Sequence, residues 1–397
     1  MSFRTLDEAE VTGKRALVRV DFNTPMEDGR VSDDTRLRAA LPTIQELRRR
    51  GARVILLSHF DRPKGKRVPA MSLKPLAQPL AALLDAPVAF ADNCVGPPAE
   101  AAVAAMRAGD VLLLENLRFH AGEEANDLGF SKALAALGDL YVDDAFSTAH
   151  RAHASTEAIA HLLPAYAGRS MQTELEHLEK ALGSPMRPVM GVVGGAKVST
   201  KLDLLENLVG KLQFLAIVGG MANTFRFAQG YDVGASLCEK DMADTARAIL
   251  TKAEAQGCHI LLPTDVVVAA EVKPGAPWRI AKIGHDLAPG DRILYVGPDS
   301  LAQILDAMSE SKTLVWNGPL GVFEVPPFDK GTVAAARHAA ALAKAGKLIA
   351  VAGGGDTVAA LHAAGVAQDF TFVSTAGGAF LEWMEGKTLP GVAALEA

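Results

Sequence analysis

Cysteine is scarce in this sequence. Its three residues, Cys94, Cys238 and Cys258, lie far apart and make no CxxC pair. That excludes a disulfide framework or a cysteine zinc site and makes a reducing compartment the simple reading. No run approaches about 18 uncharged apolar residues, so no membrane span is expected. The opening MSFRTLDEAE is acidic and polar, unlike a secretory signal, and a cytoplasmic protein is the expectation. Positive charge is not in excess either: Lys and Arg number 40 against 46 Asp and Glu, a net charge of −6. This argues against general affinity for nucleic acid or anionic membranes, while leaving room for local basic sites. Two nucleotide fingerprints are missing. GVVGGAKVST comes near G-x-x-x-x-G-K-[ST] but fails its spacing, and GGGDTVAA has Val358 where the last glycine of G-x-G-x-x-G belongs. Glycine pairs are themselves absent from the first half, the first being Gly194–Gly195.

What is present suggests an α/β protein. At roughly 150 residues per domain, a chain of 397 residues should form two or three domains. Its 49% apolar and 22% charged residues are ordinary for a soluble globular protein. Short branched or leucine-rich runs predict strands at 16–23, 53–59, 87–93, 110–119 and 140–147. A second batch follows at 189–195, 214–220, 259–269, 314–319, 347–355 and 370–378. Amphipathic helical stretches such as TRLRAALPTIQELRRRG alternate with them, the pattern of parallel sheets covered on both faces. The charged segment 170–188 separates the batches and reads as a connecting helix ending at Gly183.

Nearly every predicted strand turns polar or glycine-rich at its C-terminal end, where open parallel sheets place ligands. The first half offers Asp21, Asn23, His59, Arg62, Arg118 and the cluster His150–Arg151–His153, with Arg36 just inside a helix. Arginines converging on one cleft suit a small, multiply anionic substrate. HRAH lacks a third metal ligand, so anion binding or structural hydrogen bonding is expected there rather than zinc. The second half offers Gly194–Gly195, Gly219–Gly220, Gly353–Gly354–Gly355 and Gly377–Gly378. One such pair would be plain turn chemistry; four at strand-to-helix junctions suggest a nucleotide-phosphate surface.

Three further segments sharpen that surface. In GGAKVSTKL, a helix beginning just after Gly195 would put Lys197 and Lys201 on one face near its N-terminal amides. Like charges so placed destabilise a helix unless an anion sits between them. WNGPLGVFE joins a turn at Asn317 to Glu324, which could accept hydrogen bonds from a ribose. In GGGDT, Asp356 at a phosphate-binding helix start is either a plain cap or a group acting through a metal ion.

Together RVDFNTP, TRLRAALPTI, SHFDRPKG, ENLRFHAGEE, DDAFSTAHRAHAST, GGAKVSTKL, GGMANTF, LPTDVVVA, WNGPLGVFE, GGGDT and VSTAGGAFLE resemble, in order, the motifs of the phosphoglycerate kinase family. The resemblance runs from about residue 4 to the tail. It implies two Rossmann-like domains, each a parallel sheet flanked by helices, facing each other across a hinged cleft. The implied arrangement is a 3-phosphoglycerate-binding domain at 1–169, a connecting helix at 170–185 and a nucleotide-binding domain at 186–378. A tail at about 379–397 would pack back on the first domain. It further implies reversible phosphoryl transfer from 1,3-bisphosphoglycerate to ADP, giving 3-phosphoglycerate and ATP after domain closure, by a cytoplasmic monomer. Carried over by motif, Asp21, Asn23, Arg36, His59, Arg62, Arg118 and Arg151 would bind the glycerate substrate. Lys201, Gly220, Asn317, Glu324, Gly353, Gly354, Gly355, Asp356 and Thr357 would bind the nucleotide, and Asp356 would take part in Mg²⁺ binding. Both nucleophiles are ionised near neutral pH, so no general base is needed. Arg36, Lys197 and amides near Gly354 and Gly377 are the expected catalytic groups.

Four positions depart from the usual family pattern: Phe60–Asp61 for Leu–Gly, Ser147 for glycine, Tyr295 for aspartate and Ala376 for glycine. None is expected to touch the charged substrate set, and a methyl at Ala376 requires that residue to avoid positive φ. Two rival readings remain: a dehydrogenase, which lacks its fingerprint and a suitably spaced acid, and a catalytically silent nucleotide-binding protein.

Overall fold

The computed structural model describes residues 3–396 of the chain. They divide into two compact units, one running to Glu176 and resuming at Thr388, the other spanning His177–Lys387.

In the first unit the apolar runs form β1 (Arg15–Arg19), the short β2 (Met26–Glu27) and β3 (Arg30–Val31), β4 (Arg53–Leu57), β5 (Val88–Ala91), β6 (Val111–Leu114), β7 (Leu140–Asp143) and β8 (Ala165–Ala167). Six of these make one parallel sheet in the order β5-β6-β4-β1-β7-β8, while β2 and β3 pair as a separate hairpin. β6 and β7 are buried along their whole length, as strands covered on both faces must be. Leu17, Val18, Ile55 and Leu56 fill the centre.

The second unit contributes β9 (Val189–Gly194), β10 (Phe214–Val218), β11 (His259–Leu261), β12 (Asp265–Ala269), β13 (Trp278–Lys282), β14 (Arg292–Val296), β15 (Thr313–Asn317), β16 (Ile349–Gly353) and β17 (Phe372–Ser374). Its parallel sheet runs β11-β10-β9-β15-β16-β17, and an antiparallel trio runs β13-β12-β14. The single strand expected at 259–269 is therefore two strands in different sheets. Pro263, which has no N–H to pair, stands between them. Arg226 takes the carbonyls of Leu262 and Pro263 at 3.0 and 2.7 Å. Beyond the break, the Asp265 carboxylate turns to accept from the Asp299 and Ser300 amides at the start of helix Pro298–Glu310.

Helix Arg169–Leu178 continues as a wider turn, Glu179–Gly183. Helix Gly378–Met384 belongs to the second unit: Asn207 Nδ2 donates to Met384 O at 2.6 Å, and Lys387 pairs with Asp203 at 3.0 Å. The chain thus rejoins the first unit at Thr388 and not near residue 379. The chain leaves β1 towards one edge of the first sheet and β7 towards the other, and it leaves β9 and β15 in opposite directions in the second. Such switch points open a crevice at the carboxyl ends of the strands.

Candidate functional site

A cavity of about 560 Å³ lies at the carboxyl ends of β9, β10, β15 and β16. Helices Gly220–Ala228 and Gly355–Ala363 both start at its wall. Met221 N and Ala222 N already donate to Gly195 O and Gly219 O, so the start of Gly355–Ala363 is the better anion-binding surface. Close approach explains the glycines. Gly219 has φ +72, and a Cβ there would stand 2.8 Å from Gly195 O. Gly354 has φ +97, and a Cβ would meet Asn317 Nδ2 at 2.6 Å.

Lys201 and Arg292 are the cations lining this cavity, and Lys201 is the less exposed of the two. Its Nζ donates to Gly194 O at 2.5 Å and Asn317 Oδ1 at 2.6 Å, and Asn317 Nδ2 donates in turn to Gly353 O at 2.9 Å. Burial pushes the Lys201 ammonium down to about 8, with the Asp356 carboxylate opposing that shift. Asp356 itself is exposed at the rim. Thr357 is buried, and its Oγ1 accepts from Gly318 N at 2.7 Å, fixing the turn after β15. Gly220, Glu324 and Gly355 also line the cavity.

Three expected members do not line it. Helix Leu202–Val209 begins seven residues beyond Gly195, so Lys197 and Lys201 share no helical face. Lys201 precedes the helix and turns inward, whereas Lys197 is exposed on the preceding turn. Extending the strand straight into a helix overlooked this loop. Gly353 is buried in β16, where a Cβ would press on the Phe380 ring at 2.5 Å; its smallness serves packing. Gly377 caps helix Gly378–Met384 away from the cavity wall.

In the first unit, the segments following β1, β4, β6 and β7 carry the charged set. Arg36 Nη1 and Ser147 Oγ both donate to Asp21 Oδ2, each at 2.5 Å, and Asn23 N donates to Asp21 Oδ1 at 3.0 Å. Burial disfavours the Asp21 charge. The Arg36 guanidinium, the Ser147 hydroxyl and the Asn23 amide favour it and hold the carboxyl below its usual value. Asn23 Oδ1 accepts from Asp61 N at 2.9 Å, and Arg118 Nη1 donates to Asp61 O at 2.9 Å. Arg118 is buried, with no hydrogen-bond partner at Nε. Arg62 and Arg151 are exposed.

His59 is buried against Arg19, with Nδ1 3.1 Å from Arg19 Nη2. Burial and the neighbouring guanidinium of Arg19 hold its ring well below the usual value, so it is neutral at physiological pH. Sequence reasoning passed over Arg19 and Glu123. Arg19 Nε donates to Ser155 Oγ at 2.8 Å, and that hydroxyl donates to the buried Glu123 Oε1 at 2.5 Å. An arginine inside the apolar run LVRVDF was the available signal.

The departures from the family pattern are also closer to the chemistry than expected. Ser147 bonds Asp21 directly, and the Asp61 backbone joins Asn23 to Arg118. Asp61 has φ +54, the left-handed region that glycine adopts freely. Ala376 is not among the residues with positive φ, which makes its methyl tolerable. Tyr295 packs into the core beside Phe328.

A glycine-lined cavity holding a half-buried lysine, together with a separate arginine cluster on a second parallel sheet, defines a two-domain α/β phosphotransferase. The phosphoglycerate kinase family profile matches residues 6–387. Phosphoglycerate kinase of Caulobacter vibrioides is 68% identical over 397 residues, covering all of both chains. That of Methylorubrum extorquens is 62% identical over all of this chain and 99% of its own. Among solved structures, phosphoglycerate kinase from Coxiella burnetii matches with a TM-score of 0.93 at 40% identity, covering 99% of this chain and 98% of its own. The chain belongs to the phosphoglycerate kinase family.

Proposed function

We propose that the chain transfers a phosphoryl group reversibly between the acyl phosphate of 1,3-bisphosphoglycerate and ADP, through the residues described above. An ADP β-phosphate oxygen attacks the phosphorus in line, the bond to the carboxyl oxygen breaks, and 3-phosphoglycerate leaves as a carboxylate. No proton needs to move. Catalysis in this reading is positioning and neutralisation of charge on the moving group, after closure of the two domains on their ligands. The observation that carries it is the half-buried Lys201 ammonium, held by Gly194 O and Asn317 Oδ1, in the cavity that Gly220, Gly354 and Gly355 also line.

Arg36 and Lys197 are the proposed charge-neutralising side chains, one from each unit. Asp21, Asn23, Arg118, Arg62 and Arg151, with Arg36 and a neutral His59, would hold the glycerate substrate. No cluster of three His, Cys, Asp or Glu side chains among the described residues could cage a metal ion by itself. A lone exposed carboxylate suits Mg²⁺, which keeps waters and binds chiefly through substrate phosphates. Asp356 would hold it, and the ion would neutralise phosphate charge and orient the nucleotide. We place the enzyme in the cytoplasm as a monomer.

A coupled assay with 3-phosphoglycerate and MgATP tests the whole reading, since absence of turnover at high enzyme would leave only a binding protein. Within it, Asp356→Asn keeps the helix start but should raise the KM for MgATP about tenfold or more. Gly354 is the N-cap and no side chain caps this helix, so unchanged MgATP kinetics would leave Asp356 only a favourable charge in its first turn.

A further inference from the structure

We infer that Ser147 is a positioning residue for the acceptor substrate, acting through Asp21; this rests on Asp21 being a substrate ligand as proposed above. Ser147 sits in the tight turn Phe146–Thr148 that follows β7, next to β1 in the sheet. Its hydroxyl donates to Asp21 Oδ2 at 2.5 Å, the same oxygen that Arg36 Nη1 reaches at 2.5 Å. Asn23 N takes the other oxygen at 3.0 Å. Three donors from three chain segments thus fix the plane of one carboxylate.

Their consequence follows from what each donor can do. A half-buried carboxylate without enough donors takes up a proton or rotates. Arg36 is also the side chain proposed to act on the moving phosphoryl group, so it cannot serve Asp21 alone. The Ser147 hydroxyl is uncharged, short and anchored in a turn. It keeps Asp21 ionised and aimed while leaving the guanidinium available. A substrate hydroxyl that donates to Asp21 then meets an acceptor already oriented, without an ordering cost at binding.

Steady-state kinetics on the full chain separate this role from simple packing. Ser147→Ala should raise the KM for 3-phosphoglycerate roughly 3- to 10-fold, the scale of one hydrogen bond. The KM for MgATP and the melting temperature should stay as in the wild type. The acid limb of kcat/KM for 3-phosphoglycerate should move to higher pH, because Asp21 protonates more readily without the donor. Ser147→Thr, which keeps the hydroxyl, should restore both the KM and the acid limb. Asp21→Asn is the control. If it raises the KM for 3-phosphoglycerate while Ser147→Ala behaves as wild type, the role of Ser147 is refuted and the site reading stands. If Asp21→Asn leaves that KM unchanged, the site reading of Asp21 is wrong and the inference falls with it. Equal losses in Ser147→Ala and Ser147→Thr would also overturn it.

Discussion

Lys201 shows how a single burial sets a working range. Its ammonium is pushed down to about 8 because the cavity withholds water, and three carbonyl-type oxygens from Gly194 and Asn317 stand in for that water. An anionic phosphate binds the charged form. Nucleotide affinity should therefore be full near pH 7 and fall as pH rises through about 8 in the free protein. Bound phosphate pulls the pKa back up, so kcat should vary less than KM across the same range. Lys201→Met should weaken nucleotide binding roughly 10- to 100-fold, the loss expected for a charged hydrogen-bonding group, and flatten the pH dependence. A wild-type KM for MgATP that is constant from pH 7 to 9 would contradict this. Asp61 illustrates the opposite trade. It holds a left-handed backbone that costs an ordinary residue about 1–2 kcal/mol, and that conformation lets one peptide reach both Asn23 and Arg118.

At the level of elements, helix Arg169–Leu178 begins on a cap supplied from a distance. Asp144, just beyond β7, is buried, and its Oδ1 accepts from Ser170 N at 2.8 Å and Met171 N at 3.3 Å. Gly168 makes room for it, since a Cβ there would stand 2.2 Å from that same oxygen. Gly168→Ala should displace the carboxylate and cost about 1–3 kcal/mol, the penalty for stranding buried polar groups. Denaturant unfolding that superimposes on wild type would rule this cap out. The long branched runs such as RVILL and VMGVVG announced their strands because their side chains are buried on both faces. β13 was not legible, since WRIAK presents mostly exposed side chains. The start of helix Leu202–Val209 was misplaced because amphipathic spacing cannot show that Lys201 turns inward before it. Strand-end chemistry was the most legible layer: Asp21, Arg36, Lys201, Asn317 and Asp356 all sit where alternating β and α segments put polar residues. Gly353 and Gly377 looked identical to their neighbours in sequence, yet packing against Phe380 and capping claim them.

On the scale of the molecule, the first unit is split in sequence by the second. The returning segment buries Leu389, Val392 and Leu395, and Gly391 N donates to Ala149 O at 2.8 Å. Ala149 directly follows the turn that carries Ser147. A chain ending at Lys387 should keep nucleotide binding but lose affinity for 3-phosphoglycerate, and hydrogen exchange should rise around residues 146–151. Retention of wild-type 3-phosphoglycerate affinity would show that the returning segment is dispensable for the site. The same discontinuity fixes an order of events at the ribosome, where domains mature as their residues emerge. His177–Lys387 is one uninterrupted stretch of chain, so its residues are all available while the first unit still waits for the segment from Thr388. The part made first is sealed last, and a stalled or prematurely released chain would carry a finished nucleotide pocket beside an unfinished partner.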